Sequence, residues 1–321
     1  MNAAVVRSFG DTPAYEPFDT PTPSTPDELL IEVLAAALHP RTRSSANGSH
    51  YTSTGQLPMI PGLDGIGRDP DGQLRYFILD DPQFGSMAER VVIDPRRSVS
   101  LQTDTDVLTV AAAMNPAMSS WIALRNRIAF QPGQSVLVLG ATGNAGRMAV
   151  QIAKRLGAGH VIAAGRDPER LAILTEIGAD TIVSLAGGRA GFDTGRSLGE
   201  VAGDVDVVID YLWGPATEHN MPAVLTHRTD KSQPLTWIEI GSMSGPQIAL
   251  PSAWLRATRL QIVGSGQGSV STREIIGELP ALAAEITTGT YAIDAVSTPL
   301  SQVQTTWNAP IAPGQRIVFV P

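Results

Sequence analysis

The chain of 321 residues contains no cysteine. That absence excludes disulfides, thiolate metal sites and a cysteine nucleophile. Basic residues are the minority: 23 Lys and Arg stand against 31 Asp and Glu, a formal net charge of −8. No basic stripe gathers them, which argues against nucleic acid as the main partner. The N-terminus, MNAAVVRSFGD, lacks the long apolar core of a secretion signal. No run approaches the length of a membrane span, and the apolar stretch Leu29–Leu38 is broken by Glu32. Internal repeats and low-complexity tracts are also lacking. A cytoplasmic protein with no membrane partner is expected. Apolar residues are plentiful: 43% hydrophobic against 17% charged suits a globular enzyme with a substantial core, and the length suits two domains.

The most informative stretch is SVLVLGATGNAGRMAVQIAKRLGAGHVIAAGRDPER, residues 135–170. Ser135–Leu139 is a short apolar run, as in a strand buried on both faces. A glycine turn follows at once. Met148, Val150, Ile152, Ala153 and Leu156 then mark the apolar side of a helix, which Gly157 and Gly159 end. His160–Ala164 reads as a second buried strand. This strand–turn–helix–strand unit predicts a phosphate-bearing cofactor, because a helix N-terminus suits a pyrophosphate. Gly143 lets the backbone approach the phosphates, and Gly146 lets the helix pack close to the strand. The pattern is A-x-G-x-x-G, with Ala141 in place of the first glycine of the usual fingerprint.

The end of the second strand selects the cofactor. An NAD site places an acid there to hold the ribose 2′-hydroxyl. Here the slot holds Gly165, followed by Arg166, with Arg170 one turn on. A small residue followed by arginine leaves room for a 2′-phosphate and a bidentate partner for it. Asp167 is either a displaced ribose acid or the N-cap of a helix that has Pro168 at its first position and Glu169 after it. NADPH is favoured over NADH.

The remaining chain divides into three parts. Up to about residue 100 it reads as an irregular β-rich domain. Strands are expected at Ala3–Val6, Glu28–Leu38, Leu74–Leu79 and Met87–Ile93, with an extended proline-rich loop at Thr12–Pro26 and a polar, turn-forming segment from His39 to Gly67. Asp106–Phe130 predicts two helices interrupted at Asn115-Pro116. The glycine-turn unit then leads into alternating helices and strands, including Thr181–Ser184, Asp204–Tyr211, Thr236–Ile240 and Leu260–Val263. Six strands fit an α/β, doubly wound parallel sheet, whose ligands lie beyond the strand carboxyl ends Gly140, Gly165, Tyr211, Gly241 and Gly264. Thr272–Thr288 predicts a helix kinked or split by Pro280. The tail returns to β character (Ala295–Thr298 and Arg316–Val320) and is expected to complete the first domain. The boundaries are 1–117 with 269–321, and 118–268.

With both domains placed, the chain resembles the medium-chain dehydrogenase/reductase superfamily, above all its zinc-free, quinone oxidoreductase-like branch. PMIPGLDGIG, FGSMAERVVI, NPAMSSWIAL, QPGQSVLVLGATGNAG and PGQRIVFVP carry the resemblance, in that order along nearly the whole chain. It implies a GroES-like β-rich catalytic domain around a Rossmann domain, with the active site in the cleft between them. Zinc members place a cysteine after the second strand and Gly-His-Glu after the proline turn. Here the positions hold His39 and Gly62-Leu63-Asp64, and one histidine with one acid does not make a tetrahedral site. No metal is expected.

The resemblance also implies site residues. Thr142, Gly143, Asn144 and Ala145 match the diphosphate turn, and Gly165, Arg166 and Arg170 the adenosine end. Tyr211 lies along the cofactor. Ile240, Gly241, Ser242, Gly264 and Gly266 match the turns bordering the nicotinamide, where tight strand-end packing is the other reading for Gly241 and Gly264. Tyr51 stands where related enoyl reductases carry a tyrosine able to bond a carbonyl oxygen; otherwise it packs at the loop rim. His39 stands where the family commonly has asparagine, either as a proton-handling group or as a structural hydrogen-bonding one. Substrate-pocket candidates are Tyr51, Met59, Trp121, Trp213, Met243 and Trp254, large side chains that elsewhere serve cores. A homodimer is expected through the last strand of the sheet, Leu260–Val263, since pairing covers an apolar edge.

The implied activity is NADPH-dependent, metal-independent reduction of a quinone or an α,β-unsaturated carbonyl. A tailoring reductase for one specialised metabolite and a non-catalytic NADPH-binding sensor or structural protein are the alternatives.

Overall fold

The computed structural model describes residues 1–53, 55–80, 83–186 and 197–321. In chain order the first strands are β1 (Asn2–Val5), β2 (Ala14–Pro17), β3 (Leu29–Ala37), β4 (Asp64–Arg68), β5 (Leu74–Ile78), β6 (Arg90–Ile93) and β7 (Ser98–Ser100). Next come β8 (Ser135–Leu139), β9 (His160–Gly165), β10 (Thr181–Ser184), β11 (Val207–Asp210), β12 (Leu235–Glu239) and β13 (Leu260–Gly264). The tail adds β14 (Asp294–Pro299) and β15 (Gln315–Val320). The helices are α1 (Pro40–Ala46), α2 (Val107–Ile122), α3 (Asn144–Arg155), α4 (Pro168–Ala172), α5 (Leu198–Ala202), α6 (Gly214–Thr226), α7 (Ser252–Ala257), α8 (Thr272–Thr287) and α9 (Val303–Thr306).

Two compact units divide the chain: Met1–Asn115 with Ile276–Pro321, and Pro116–Ile275. In the first, the strands run in the order β14-β15-β3-β4-β5-β7, with β6 also on β3 and a separate β1–β2 ribbon. The C-terminal strand is part of this sheet because Val318 and Phe319 of β15 pair antiparallel with Ala37 and Ala36 of β3. Ile60, Met87, Leu300, Val303 and Phe319 fill one of its cores.

The second unit is a six-stranded parallel sheet in the order β10-β9-β8-β11-β12-β13. This is the doubly wound arrangement that the alternation of apolar strands and helices predicts. Strand order reverses between β8 and β11, which makes the carboxyl ends of those strands the place where such sheets bind ligands. Leu137, Leu139, Ile162, Val208 and Trp237 pack on one face against Met221, Val224 and Leu225 of α6. Two of these strands are continuous apolar runs because helices cover both faces.

Five expectations are corrected. Pro116 does not interrupt α2, and Pro280 does not split α8. An internal proline costs a helix about 3 kcal/mol, but Val110, Ala111, Ala112, Ala113, Met114 and Ala117 of α2 are all almost fully buried. Tertiary packing outweighs the local penalty. The polar segment after His39 contains α1, and the proline-rich loop contains the short strand β2, paired with β1. The helical stretch Val107–Arg127 reaches the length and apolarity of a membrane span, with 67% of it buried inside the protein. That burial is what the core helix of a globular protein shows.

Candidate functional site

The glycine turn between β8 and α3 closes on β9. The amides of Gly140 and Ala141 both donate to the Ala164 carbonyl, each at 3.0 Å. Gly143 is the N-cap of α3 and contributes no side-chain acceptor. α3 thus offers a glycine-capped helix N-terminus, an arrangement that suits an anion. A Cβ on Gly146 would lie 2.3 Å from the Gly140 carbonyl oxygen and 2.6 Å from Ala141 Cα, backbone that has no room to yield. At Gly143 the nearest atom to an added Cβ would be the Gly140 oxygen, 3.6 Å away. The two glycines therefore differ: Gly146 is demanded by helix–strand packing, whereas Gly143 keeps its outer face open.

At the end of β9, a Cβ on Gly165 would come 2.7 Å from Thr142 Cγ2. The threonine of the turn lies against the strand end, so a longer residue such as a ribose-binding acid would have to displace its side chain. Arg166 is exposed, and among the described residues it has no hydrogen-bond or ion-pair partner. Asp167 is the N-cap of α4: its Oδ1 accepts from the Arg170 amide at 3.2 Å. Its Oδ2 lies 3.1 Å from Arg170 Nε, so Arg170 is engaged locally while Arg166 is not. Asn144 and Ala145, in the first turn of α3, are partly buried.

The other half of the sheet edge is organised by a residue that the sequence reading passes over. Asp210, the last residue of β11, is 0% exposed and its carboxylate accepts four hydrogen bonds. Oδ1 takes the amides of Leu212 (2.8 Å) and Trp213 (3.0 Å). Oδ2 takes Thr217 Oγ1 (2.6 Å) and Trp237 Nε1 (2.9 Å). This clamp holds Trp213 at φ 47°, a left-handed backbone that a bulky residue rarely adopts. The Asp210 carbonyl also accepts the amides of Ile240 (2.9 Å) and Gly241 (3.2 Å), tying the turn after β12 to β11. Glu239, opposite Asp210 in the register, is partly buried, and burial together with the Asp210 charge holds its carboxyl above the usual range. The signal for Asp210 was an acid closing an apolar strand, with a tryptophan indole among its later partners.

Tyr211 is buried, and its hydroxyl lies 2.9 Å from Ser119 Oγ of α2. Burial pushes its phenol up to about 12, against the lowering effect of its hydrogen-bond partners Ser119 and Ser120 on the ionised form. The Ser242 carbonyl accepts the Gly245 amide at 3.2 Å. The Gly264 carbonyl accepts Arg127 Nε at 2.7 Å, and an added Cβ there would meet nothing within 4 Å. The Gly266 amide donates to Ser269 Oγ at 2.8 Å. Pairing of Leu139 with Ala164, of Asp210 with Leu139 and Glu239, and of Glu239 with Gly264 brings all these ends to one edge of the sheet.

The candidates for acceptor binding fall in both units. Tyr51 and Met59 belong to the first unit; Trp121, Trp213, Met243 and Trp254 to the second. Tyr51 is 72% exposed, with its ring stacked on His50 at 4.4 Å between centroids and 31° between planes. Met59 is a core residue, paired by backbone hydrogen bonds with Val6. Trp121 is buried, with the Arg125 guanidinium 4.8 Å above its ring. Trp213 and Trp254 pack against the sheet core, and Met243 is 71% exposed.

His39 is 1% exposed, inside the first unit. Its Nε2 lies 2.9 Å from Asp64 Oδ1, and Tyr76 Oη donates to Asp64 Oδ2 at 2.9 Å. His39 is also the N-cap of α1, with Nδ1 accepting from the Thr42 amide. His39 and Asp64 thus pair with each other, and among the described residues no group of three or more His, Cys, Asp or Glu stands ready to hold a metal.

Three comparisons place this arrangement among known proteins. The Zinc-binding dehydrogenase family matches residues 145–284. The probable NADPH-dependent quinone reductase tdiC of Emericella nidulans is 30% identical over 100% of both chains. The NADPH-dependent alkenal/one oxidoreductase of Arabidopsis thaliana chloroplasts is 28% identical over 58% of this chain and 50% of its own. Among solved structures, the quinone oxidoreductase of Thermus thermophilus, determined alone and with NADPH, superposes over 100% of both chains with a TM-score of 0.82 at 22% identity. By its full-length relative and its fold, the chain belongs to the medium-chain dehydrogenase/reductase superfamily, in the quinone oxidoreductase-like branch.

Proposed function

We propose that this protein is an NADPH-dependent oxidoreductase that reduces a quinone or an α,β-unsaturated carbonyl. The observation that carries the reading is the end of β9. Gly165 packs against Thr142 and leaves the strand end without an acid, while the exposed Arg166 is free of partners among the described residues. An arginine in that position matches a 2′-phosphate, with which guanidinium forms bidentate bonds. The glycine-capped α3 N-terminus fits the diphosphate, and the room at Gly143 lets it approach. Tyr211, Ile240, Gly241, Ser242, Gly264 and Gly266 border the nicotinamide side.

Bound NADPH supplies a hydride. The chain's own residues then orient the acceptor, exclude water and steady the developing oxyanion. Tyr51 donates its hydroxyl to the acceptor's carbonyl oxygen and passes on the proton that accompanies the hydride. The names of the relatives support both acceptor classes: quinone reductase for the fungal protein and alkenal/one oxidoreductase for the plant one. A cytoplasmic homodimer, paired through β13 at the end of the parallel sheet, completes the proposal. The test is NADPH oxidation across a panel of benzoquinones, naphthoquinones, enals and enones. Turnover of at least one class is expected, and tight NADPH binding without any turnover would favour a sensor instead.

A further inference from the structure

His39 does its work at a distance. Besides the Thr42 hydroxyl, 3.2 Å from each ring nitrogen, its imidazole meets a backbone amide and a carboxylate, which one neutral tautomer satisfies together. Nδ1 accepts the Thr42 amide at 3.4 Å, so it carries no proton; the proton sits on Nε2, which donates to Asp64 Oδ1 at 2.9 Å. The first contact caps α1 and the second anchors the cap to β4. Around this pair, Arg316 Nη1 donates to the Leu38 carbonyl at 3.0 Å. Farther along α1, Arg43 grips the Trp307 carbonyl through Nε (3.0 Å) and Nη2 (2.7 Å). The last turn of α1 then carries the next segment. The amides of Ser49 and His50 both donate to the Ser44 carbonyl (3.0 and 3.1 Å), and the His50 ring stacks on Tyr51. A series of hydrogen bonds therefore runs from buried Asp64 through His39 and α1 to His50, whose ring lies against that of exposed Tyr51.

We infer that His39 is a positioning residue, which sets the Tyr51 loop through α1 and touches neither acceptor nor cofactor. The inference rests on the role of Tyr51 proposed above. The titratable groups acting on the imidazole are Asp64 on β4, Arg316 on β15 and Arg41 on α1 itself, with Tyr76 on β5 bonded to the far oxygen of Asp64. Burial, together with Arg316 and Arg41, outweighs Asp64 and keeps the ring neutral to lower pH than an ordinary histidine. Protonation of Nδ1 would remove the acceptor that caps α1.

The test compares His39→Ala, His39→Asn and Tyr51→Phe, with the His39→Ala/Tyr51→Phe pair. Hydrogen exchange of the Ser49 and His50 amides gives a readout without turnover. His39→Ala should speed it about tenfold, the scale of a lost N-cap, while amides of β8 keep their rates. Asparagine is itself a strong N-cap, so His39→Asn should restore slow exchange. In turnover of a naphthoquinone, His39→Ala and Tyr51→Phe should each lower kcat/KM, and the double variant should fall no further than the worse single. Exchange accelerated equally in β8, or effects that multiply in the double variant, would overturn the inference. Should Tyr51→Phe turn over normally, the Tyr51 role and this inference both fall, with hydride transfer standing. If His39→Ala does not fold, acid titration of the native protein replaces it: loop exchange should quicken below the ordinary histidine range, and His39→Asn should lack that step. An identical step in His39→Asn would overturn the inference.

Discussion

Tyr211 gives its phenolic proton to Ser119. Their oxygens are 2.9 Å apart, and the single proton of Ser119 is directed to the Pro116 carbonyl at 2.8 Å, so the tyrosine is the donor. The bond joins the end of β11 to the second half of α2. It has a consequence at alkaline pH. Burial raises the phenols of Tyr211 and Tyr76, the latter helped by the Asp64 charge, above their unfolded value near 10. A raised folded value gives stability that is complete below the unfolded value and is lost as pH climbs through the folded one. Stability should therefore fall from about pH 10 toward 12, measured by urea unfolding at stepped pH. Tyr211→Phe should flatten part of that fall and lower stability at neutral pH by about 1 kcal/mol.

The glycines of the turn should separate by what they face. Gly146→Ala drives a methyl into backbone atoms at 2.3 and 2.6 Å and should destabilise the chain by about 1–3 kcal/mol. Gly143→Ala meets nothing nearer than 3.6 Å at an ordinary φ of −77°. It should unfold like the parent and weaken NADPH binding alone. Denaturant midpoints and cofactor titration by fluorescence distinguish the two outcomes.

Arg166→Ala should weaken NADPH binding by about 10- to 100-fold, the range expected for hydrogen bonds to a charged group. NADH binding should change little, because it lacks the phosphate. Equal losses for both cofactors, read from their dissociation constants, would contradict the assignment of Arg166.

Asp210→Asn should expose the clamp. An amide can keep one pair of its donors, and the Thr217 hydroxyl can turn to accept from the new NH2 group. Trp237 Nε1–H can only donate, so it is left without an acceptor, at about 1–3 kcal/mol. Adding Trp237→Phe to Asp210→Asn should then cost less than Trp237→Phe in the parent. A double-mutant cycle on unfolding free energies measures that coupling.

Much of the second unit was legible from local pattern. Ser135–Leu139, the glycine turn and the helix after it are adjacent in the chain, and each is stabilised mainly by neighbours within that stretch or by burial that its own apolar residues announce. The Asp167 cap, with Pro168 and Glu169 following, was equally local. α1 was not legible. Its cap is a histidine held by Asp64, 25 residues on, and its Arg43 is bound by Trp307, 264 residues on. Nothing within His39–Ala46 reports either partner.

The sequence by itself determined the parallel α/β unit, the glycine turn, and the glycine–arginine end of β9 on which the proposed 2′-phosphate site rests. These depend on spacing along one short segment, where chain geometry leaves few choices. Tertiary structure alone decided that Pro116 and Pro280 stay within continuous helices, that Asp210 clamps Trp213 and Trp237, and that His39 faces Asp64 instead of open space. In each case the deciding partner is brought in by folding, and its contribution exceeds the local preference that a sequence pattern can express.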